Sequence, residues 1–315
     1  MSKTVALFPG QGSQYTGMSK VLKEAFPWTS QIYEEASDTL KFDLYKLCAE
    51  GPDSDLQLTM NQQPAILATS YAWFSVLKKL LDFKPDAGAG HSLGEYTAYL
   101  ASGALSLSDA IRLVRRRGQL MQEAVPQGKG KMAALLGLAD DKVRELCQKA
   151  SQGEDSLVVA ANFNAPSQVV IAGHTTAVDR AAVIAGTEGE LKARKVIPLN
   201  VSAPFHSPLM KTVAEKFEQD LSSVKWHPQQ FAIVNNLDAR LRTEGDPVPI
   251  LKDQINHPVL WTSCVETLKL SGHTKFVEMG PGKVLTGLVK RMTEGAQLFS
   301  IESIDDIQKF EGSLK

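Results

Sequence analysis

The order of apolar patterns between residues 128 and 201 restricts the fold of this chain more than any other feature. The segments KMAALLGL, SLVVAAN, SQVVIAG and ARKVIPLNV are short and apolar, which indicates buried strands. ADDKVRELCQKA follows the first strand with apolar residues at helical spacing, and TTAVDRAAVIAG, which opens with a capping box from Thr176 to Asp179, precedes the last. The order is βαββαβ, the split ferredoxin-like arrangement, which predicts a small subdomain over residues 128–201.

A second alternation of strands and helices lies on both sides of that segment. TVALF indicates a buried strand that enters the glycine turn PGQGSQ, and helical patterns continue to about residue 81. FAIVNN, KFVEMG and LFSI indicate later strands. Because 315 residues exceed the usual domain size of about 100 to 200, we predict an α/β protein with two subdomains. The large one is discontinuous, over residues 1–127 and 202–315, with the small one inserted.

Composition argues against several classes of function. The chain has 34 basic and 35 acidic residues, so no net field favours nucleic acid or an anionic membrane. No segment approaches the roughly 18 apolar residues of a membrane span, which predicts a cytoplasmic protein. Cys48, Cys147 and Cys264 form no CxxC pair and the histidines lack metal-ligand spacing, so neither disulfides nor a metal site are expected. Tyr15, at the position of the third glycine, argues against a dinucleotide fingerprint.

The segment GHSLG at residues 90–94 matches the nucleophile elbow G-x-S-x-G. Small flanking residues allow a strand to turn sharply into a helix and leave the Ser92 hydroxyl exposed. The helical pattern EYTAYLASGAL follows, so backbone N–H groups and the positive end of a helix dipole would lie beside the serine. The preceding KPDAGAG is a weak strand pattern, and chance gives the motif in about one chain in ten of this length. A loop serine without chemistry therefore stays an alternative.

A serine nucleophile needs a base, for which histidine is the default candidate. His206, in VSAPFHSP, lies where the chain re-enters the large subdomain, between two prolines that fix the loop. His227 and His257 adjoin prolines in ordinary turn patterns. Position favours His206, although a lone histidine is more often structural than catalytic.

Three consecutive arginines lie in the helical segment SLSDAIRLVRRRGQLMQEAV, which opens with a capping box from Ser106 to Asp109. At about 100° per residue, Arg117 falls at the edge of the apolar stripe, whereas Arg115 and Arg116 point to solvent. A guanidinium at a core edge needs an anionic partner. That partner is either a structural Asp or Glu or the carboxylate of a substrate, and periodicity does not choose between them.

Six ordered blocks of the sequence resemble malonyl-CoA:acyl carrier protein transacylases of type II fatty acid synthesis. The blocks are FPGQGSQ at 8–14, GHSLGEYTA at 90–98, RRGQLMQEAVP at 116–126, NFNAPSQVVIAG at 162–173, APFHSPLM at 203–210 and EMGPGKVLTGL at 278–288. The resemblance covers nearly the whole chain and is far more specific than one elbow. It implies an α/β-hydrolase-like large subdomain with the ferredoxin-like insertion.

The resemblance also implies a role for each residue that matches a family motif. Ser92 would be acylated, and His206 would be its general base. The backbone carbonyl of Gln254, in DQINHPVLW, would orient the histidine, so no Asp or Glu is expected as a third member. The backbone N–H groups of Gln11 and Leu93 would form the oxyanion hole.

By the same resemblance, Arg117 would bind the malonyl carboxylate. Four residues are weaker candidates for lining the cleft: Met121, Asn164, Gln168 and Phe205. The implied reaction is ping-pong transfer of malonyl from malonyl-CoA to the phosphopantetheine thiol of acyl carrier protein. It requires neither metal nor redox cofactor, and the expected partners of the monomer are coenzyme A thioesters and the carrier protein, not nucleic acid or membrane.

Three other functions fit parts of the same pattern. A serine esterase or thioesterase would share Ser92 and His206 but would not require Arg117 to point inward. A stand-alone acyltransferase of polyketide assembly would use the same residues. A module that only docks carrier protein would have no reason to retain the elbow serine, which disfavours that alternative.

Overall fold

The computed structural model describes residues 3–126, 128–187, 189–201 and 203–314, and within them strands and helices alternate. The strands are β1 (Lys3–Phe8), β2 (Ala87–Gly90), β3 (Gly130–Leu136), β4 (Val158–Ala165), β5 (Gln168–His174), β6 (Lys195–Pro198), β7 (Ala232–Val234), β8 (Leu241–Arg242), β9 (His273–Met279) and β10 (Gln297–Ile301). The helices are α1 (Lys20–Ala25), α2 (Ser30–Leu40), α3 (Leu44–Glu50), α4 (Asp53–Leu56), α5 (Thr59–Leu81), α6 (Leu93–Ala101), α7 (Leu107–Glu123), α8 (Asp140–Ala150), α9 (Thr175–Gly186), α10 (Lys211–Ser223), α11 (Pro247–Asp253), α12 (Trp261–Leu270), α13 (Val284–Lys290) and α14 (Ile304–Gly312). The predicted α/β class is confirmed.

The larger sheet has the strand order β10-β9-β1-β2-β7-β8. Its first five strands are parallel, and β8 pairs antiparallel with β7. In β1, Val5 and Leu7 pack into one hydrophobic cluster while Ala6 and Phe8 pack into another, and all four are fully buried. A strand covered on both faces is expected to be apolar throughout, as VALF is.

The strand before the elbow, β2, consists of alanine and glycine because its neighbours leave no room for larger side chains. A Cβ added to Gly88 would lie 2.7 Å from the Phe231 ring, and one added to Gly90 would lie 1.9 Å from the backbone carbon of Gly94. The strand was a weak pattern for this reason: close packing of the chain against α6 overrides β-propensity.

The smaller sheet has the order β4-β5-β3-β6, with every pairing antiparallel. This is the strand order of a ferredoxin-like unit, with α8 and α9 as its helices. Residues on its two faces alternate: Leu135 and Ile171 pack with α8 and α9, whereas Met132 and Ala172 belong to the core of the large sheet. The division at residues 127 and 202 stays a prediction, and both of those residues lie outside the described ranges.

One of the two predicted capping boxes is wrong. Ser106 caps α7, since its hydroxyl accepts a hydrogen bond from the backbone N–H of Asp109 at 3.1 Å. In contrast, α9 follows β5 directly, so its N-cap is His174 and no side chain caps it. The helix starts before Thr176, and Asp179 instead pairs with a lysine on β3.

The carboxyl ends of three adjacent parallel strands, β1, β2 and β7, meet at one edge of the larger sheet. The loops that leave these ends contain Gln11, Ser92 and Asn236. A Cβ added to Gly10 would lie 2.5 Å from the carbonyl oxygen of His91, which shows how closely the first two loops approach. This edge is where ligands bind in open parallel sheets.

Candidate active site

Ser92 lies in a strained turn between β2 and α6. Its φ is 52° and its ψ is −102°, a conformation that non-glycine residues rarely adopt. A Cβ added to Gly94 would lie 2.0 Å from the carbonyl oxygen of Phe8, so glycine is required beside the serine. The predicted strand, turn and helix are therefore present, and the side chain of Ser92 is partly exposed.

His206 contacts the serine through one ring nitrogen and the backbone through the other. Its Nε2 lies 2.7 Å from Ser92 Oγ, and its Nδ1 lies 2.9 Å from the carbonyl oxygen of Gln254. Because a carbonyl only accepts hydrogen bonds, Nδ1 carries the proton and Nε2 is free to accept from the serine hydroxyl. Burial, with the nearby Arg117 charge, lowers the pKa of His206 to about 3, so the ring is neutral at pH 7.

Arg117 points into the site and is fully buried. Its guanidinium donates to Ser92 Oγ at 2.9 Å, to Gln254 Oε1 at 3.0 Å and to Gln63 Oε1 at 3.0 Å. The Tyr96 ring centre lies 5.2 Å from the Arg117 Cζ, and the Arg117 Nε has no hydrogen-bond partner among the described residues. Burial lowers the pKa of Arg117, but a guanidinium stays charged in proteins.

No Asp or Glu in the described ranges forms an ion pair with this arginine. Of the two partners considered from the sequence, a structural Asp or Glu therefore makes no direct ion pair with Arg117 in these ranges. The other two arginines of the run differ from each other: Arg116 is exposed, whereas Arg115 is half-buried and donates to Asn61 and to the carbonyl of Met60. The solvent-facing interpretation holds for Arg116 and is wrong for Arg115, because α5 packs against that side of α7.

Two backbone N–H groups beside the serine are free in the described structure. Neither Gln11 nor Leu93 donates its N–H to an acceptor within residues 3–126, 128–187, 189–201 and 203–314. Leu93 is the first residue of α6, so its N–H lies at the positive end of the helix. The Gln11 side chain is fixed by Gln62 at 2.9 Å and by Gln63 at 3.3 Å.

Asn164 joins the small sheet to the elbow. It lies in β4, and its Oδ1 is 2.8 Å from Nε2 of His91, the residue before Ser92. Burial lowers the pKa of His91, so its ring is neutral and Nε2 donates to the Asn164 oxygen. Asn164 therefore contacts the nucleophile's neighbour rather than Ser92 itself.

The other weaker candidates lie at different distances from the serine. Met121 is buried, with its Sδ 3.9 Å from Nε2 of Gln63, and Phe205 is buried immediately before the histidine. Gln168 begins β5, where its Oε1 accepts a hydrogen bond from Arg291. That contact directs Gln168 towards α13, and no side-chain hydrogen bond joins it to a predicted site residue in the described part of the chain.

Sequence reasoning missed three polar residues that surround the predicted ones: Gln63, Glu95 and Asn236. All are buried, and Asn236 Oδ1 accepts the backbone N–H of Ser92 at 2.6 Å. The sequence does contain one indication of Glu95. It is the only charged residue in the apolar helix LGEYTAYLA, and it follows Ser92 by three positions, on the same face.

A cavity of about 320 Å³ opens against His206. Its other lining residues are Val159, Pro208, Lys211, Asn256, His257 and Pro258. The cavity thus lies between β4 of the small sheet and the loops of the large one, beside the base.

The described ranges contain neither a metal-binding cluster nor a membrane-spanning helix. No three His, Cys, Asp or Glu side chains there are grouped to hold a metal ion. No helix there is long and apolar enough to cross a bilayer. The three cysteines are buried and unpaired.

A serine on an elbow, a neutral histidine and an unpaired buried arginine match the pattern of acyl transfer to which the sequence pointed. The profile of the family described as acyl transferase domain matches residues 5–309. The chain belongs to the acyl transferase family. Within it, the chain is 42% identical over 313 residues to the malonyl CoA-acyl carrier protein transacylase of Haemophilus influenzae, covering 99% of each chain. It is 42% identical over 318 residues to the enzyme of that name from Bacillus subtilis, covering 100% of this chain and 98% of the other.

Solved structures of acyl transferases agree in fold. An acyl carrier protein S-malonyltransferase from Vibrio cholerae superposes with a TM-score of 0.93 at 42% identity, covering 98% of this chain and 100% of that one. A malonyl-transacylase solved in complex with its type II polyketide synthase acyl carrier protein gives a TM-score of 0.95 at 39% identity, covering 99% and 100%. The resemblance stated from the six sequence blocks is therefore confirmed.

Proposed function

We propose that this acyl transferase moves a malonyl group from malonyl-CoA to the phosphopantetheine thiol of acyl carrier protein, supplying the extender for fatty acid elongation. The observation that supports it most strongly is the guanidinium of Arg117, buried and 2.9 Å from Ser92 Oγ. Its partners among the described residues are neutral, so its charge is available to an acyl group that ends in a carboxylate.

In the first half-reaction, Ser92 Oγ attacks the thioester carbon of malonyl-CoA while its proton passes to Nε2 of His206. Backbone N–H groups of Gln11 and Leu93 donate to the oxyanion, a contribution of about 3 to 4 kcal/mol per donor in comparable sites. The carbon–sulfur bond then breaks, and coenzyme A leaves with the proton from His206. The product is a malonyl ester of the serine.

In the second half-reaction, the phosphopantetheine thiol gives its proton to His206 and its sulfur attacks the ester carbon. Ser92 leaves and recovers the proton, so the enzyme is regenerated. The Gln254 carbonyl holds the Nδ1 proton throughout, 2.9 Å away, which keeps Nε2 directed at the reacting atoms.

Arg117 also affects the strength of the base. Its positive charge is the second cause of the low pKa of His206, after burial. A malonyl carboxylate bound to the guanidinium would offset that charge and raise the proton affinity of the histidine. A bound malonyl group would thus make His206 a stronger base for its own transfer. An acetyl group would instead leave the buried guanidinium without an anionic partner, at a desolvation cost.

The proposal includes the predicted surroundings of the reaction. The enzyme would work as a cytoplasmic monomer, with coenzyme A thioesters and carrier protein as partners and without a resident metal or redox cofactor. Proton transfer from Ser92 to His206 activates the nucleophile, the step for which some other enzymes use a metal ion. Met121, Asn164 and Phe205 would line the cleft, and Gln168 is placed less well for that role because it contacts Arg291.

The test is intact-protein and peptide mass spectrometry after brief incubation with equimolar malonyl-CoA and acetyl-CoA. We expect malonyl mass on the peptide that contains Ser92, removed by holo acyl carrier protein. No adduct, or an acetyl adduct lost only to water, would contradict the proposal and favour a serine hydrolase.

A second candidate is a polyketide acyltransferase. It is favoured by the structural relative that was solved with a type II polyketide synthase carrier protein. The two pathways are distinguished by a competition experiment. Carrier proteins of fatty acid and of polyketide synthesis are mixed with the same malonyl-enzyme, and the rate at which each is loaded is measured.

A further inference from the structure

The side-chain amide of Gln254 lies between two buried charges. Its Oε1 accepts from Nη2 of Arg117 at 3.0 Å, and its Nε2 donates to Oε2 of Glu95 at 2.7 Å and to the carbonyl oxygen of Ser92 at 3.1 Å. A guanidinium only donates, and a carboxylate and a carbonyl only accept. The reverse orientation of the amide would oppose like groups at all three contacts, so the neighbours fix it in one state.

Glu95 is the buried anion of this group. Its carboxylate is fully buried and receives three hydrogen bonds: from Asn235 Nδ2 at 2.6 Å, from the backbone N–H of Asn236 at 3.0 Å and from Gln254 Nε2 at 2.7 Å. Within the described ranges, three donors face its oxygens. Burial raises the pKa of Glu95, whereas these three hydrogen bonds and the nearby Arg117 charge act against that rise and favour the ionised form.

We propose that Glu95 is a positioning residue for substrate selection: through the Gln254 amide it holds Arg117 in the orientation that receives the malonyl carboxylate. This inference rests on the proposed function. Gln254 then has two separate tasks, because its backbone carbonyl orients His206 while its side chain orients Arg117.

An amide between the charges suits this task better than a direct ion pair. A Glu95 carboxylate in contact with the guanidinium would occupy the N–H groups that a substrate needs, and would repel its carboxylate. With Gln254 between them, the two charges are separated by the amide and its two hydrogen bonds, and the anion still opposes the buried positive charge. The guanidinium is fixed by neutral acceptors and keeps its charge for the ligand.

Replacing Glu95 by glutamine removes the charge and leaves an acceptor on only one of its two terminal atoms. Three donors then face one oxygen and one NH2 group, so at least one N–H meets another N–H. Where the new NH2 group faces Nε2 of Gln254, that contact favours the reverse orientation of the amide and competes with the contacts to Arg117 and to the Ser92 carbonyl. The Gln254 amide is then held less firmly against Arg117. E95Q should therefore lower the preference for malonyl over acetyl more than it lowers the rate of acyl transfer itself.

The experiment measures kcat/KM with malonyl-CoA and with acetyl-CoA for wild type, E95Q, Q254M and the double variant. Methionine retains the volume and the backbone carbonyl of residue 254 but removes the amide. We expect E95Q to lower the malonyl to acetyl ratio about 10- to 100-fold, Q254M to lower it similarly, and the double variant to lower it no further than either single change.

The matched control is E278Q. Glu278 is also fully buried and also receives three hydrogen bonds, from the backbone N–H groups of Leu285 and Thr286 and from the Thr286 hydroxyl. It lies in β9, however, and its donors belong to the first turn of α13. Its variant should lose stability and keep the wild-type ratio of the two substrates.

Equal losses of malonyl and acetyl transfer in E95Q, or additive effects in the double variant, would overturn the proposal. If E95Q does not fold, an unchanged ratio in Q254M overturns it alone, because Glu95 acts through that amide. Failure of the proposed function looks different: wild type itself would then form no malonyl adduct on Ser92.

Discussion

Asn236 supports the backbone of Ser92 directly: its Oδ1 lies 2.6 Å from the serine's backbone nitrogen. The Nδ2 of the same amide donates to the carbonyl oxygen of Gly90 at 2.8 Å. One fully buried side chain from the end of β7 thus joins both sides of the elbow. A serine at φ 52° costs about 1 to 3 kcal/mol, and these two contacts help to hold it there.

The variant N236A should therefore slow acylation of Ser92 about 10- to 100-fold, because the hydroxyl is no longer held at attacking geometry. The loss should be equal for malonyl-CoA and acetyl-CoA, since Arg117 is not touched. Rapid-quench mass spectrometry of the acyl-enzyme measures both rates. N61A removes a side chain with two hydrogen bonds remote from the serine and should react like wild type. An N236A protein with wild-type rates would mean that the glycines alone maintain the elbow.

Local patterns predicted the parts of the site that local geometry determines. The elbow follows from GHSLG, and the inward direction of Arg117 follows from helical periodicity, because both depend on residues that are near each other in the chain. Asn236 and Gln254 are 144 and 162 residues from Ser92. Periodicity carries no information about such contacts, and the role of Gln254 came only from the family resemblance.

Glu95 illustrates why a polar network is harder to predict than a fold. Its position in an apolar helix was visible, but whether a buried carboxylate meets cations, amides or solvent depends on two distant segments, residues 235–236 and residue 254, folding against it. Similarly, the α/β class and the βαββαβ arrangement follow from the alternation of apolar patterns, whereas the weak strand AGAG reflects packing that no β-propensity describes.

The variant R117A should lower kcat/KM for malonyl-CoA about 100-fold and lower that for acetyl-CoA much less. The reason is that the arginine offers a carboxylate a desolvated positive charge that acetyl does not use. The malonyl to acetyl ratio from competition between the two thioesters measures the effect.

R116A is the matched control, since Arg116 lies on the same helix, is exposed and forms an ion pair with Asp220 at 3.5 Å. Both rates should stay within about twofold of wild type. If R117A kept the malonyl preference, another group would have to bind the carboxylate.

A methyl group at Gly94 should destabilise the protein strongly. Its Cβ would lie 2.0 Å from the carbonyl oxygen of Phe8, which forces α6 away from β1, so we expect G94A to lose about 3 kcal/mol or more in urea unfolding. Gly287 is exposed in α13 with no atom near its added Cβ. G287A should gain up to about 1 kcal/mol from helix propensity. Equal midpoints for the two variants would contradict the close contact at the elbow.

The acid limb of acylation should report on the charge beside His206. Burial and Arg117 lower the pKa of this histidine to about 3, and the base works only when neutral. Acylation by acetyl-CoA, which has no carboxyl group to titrate, should therefore show no loss between pH 8 and pH 5 attributable to a histidine near its usual 6.5. In R117A the positive neighbour is gone, so the pKa of His206 rises and the acid limb moves to higher pH, most clearly in the profile of kcat/KM. R116A should keep the wild-type profile, and an R117A limb that does not move would show that desolvation alone sets the proton affinity of the base.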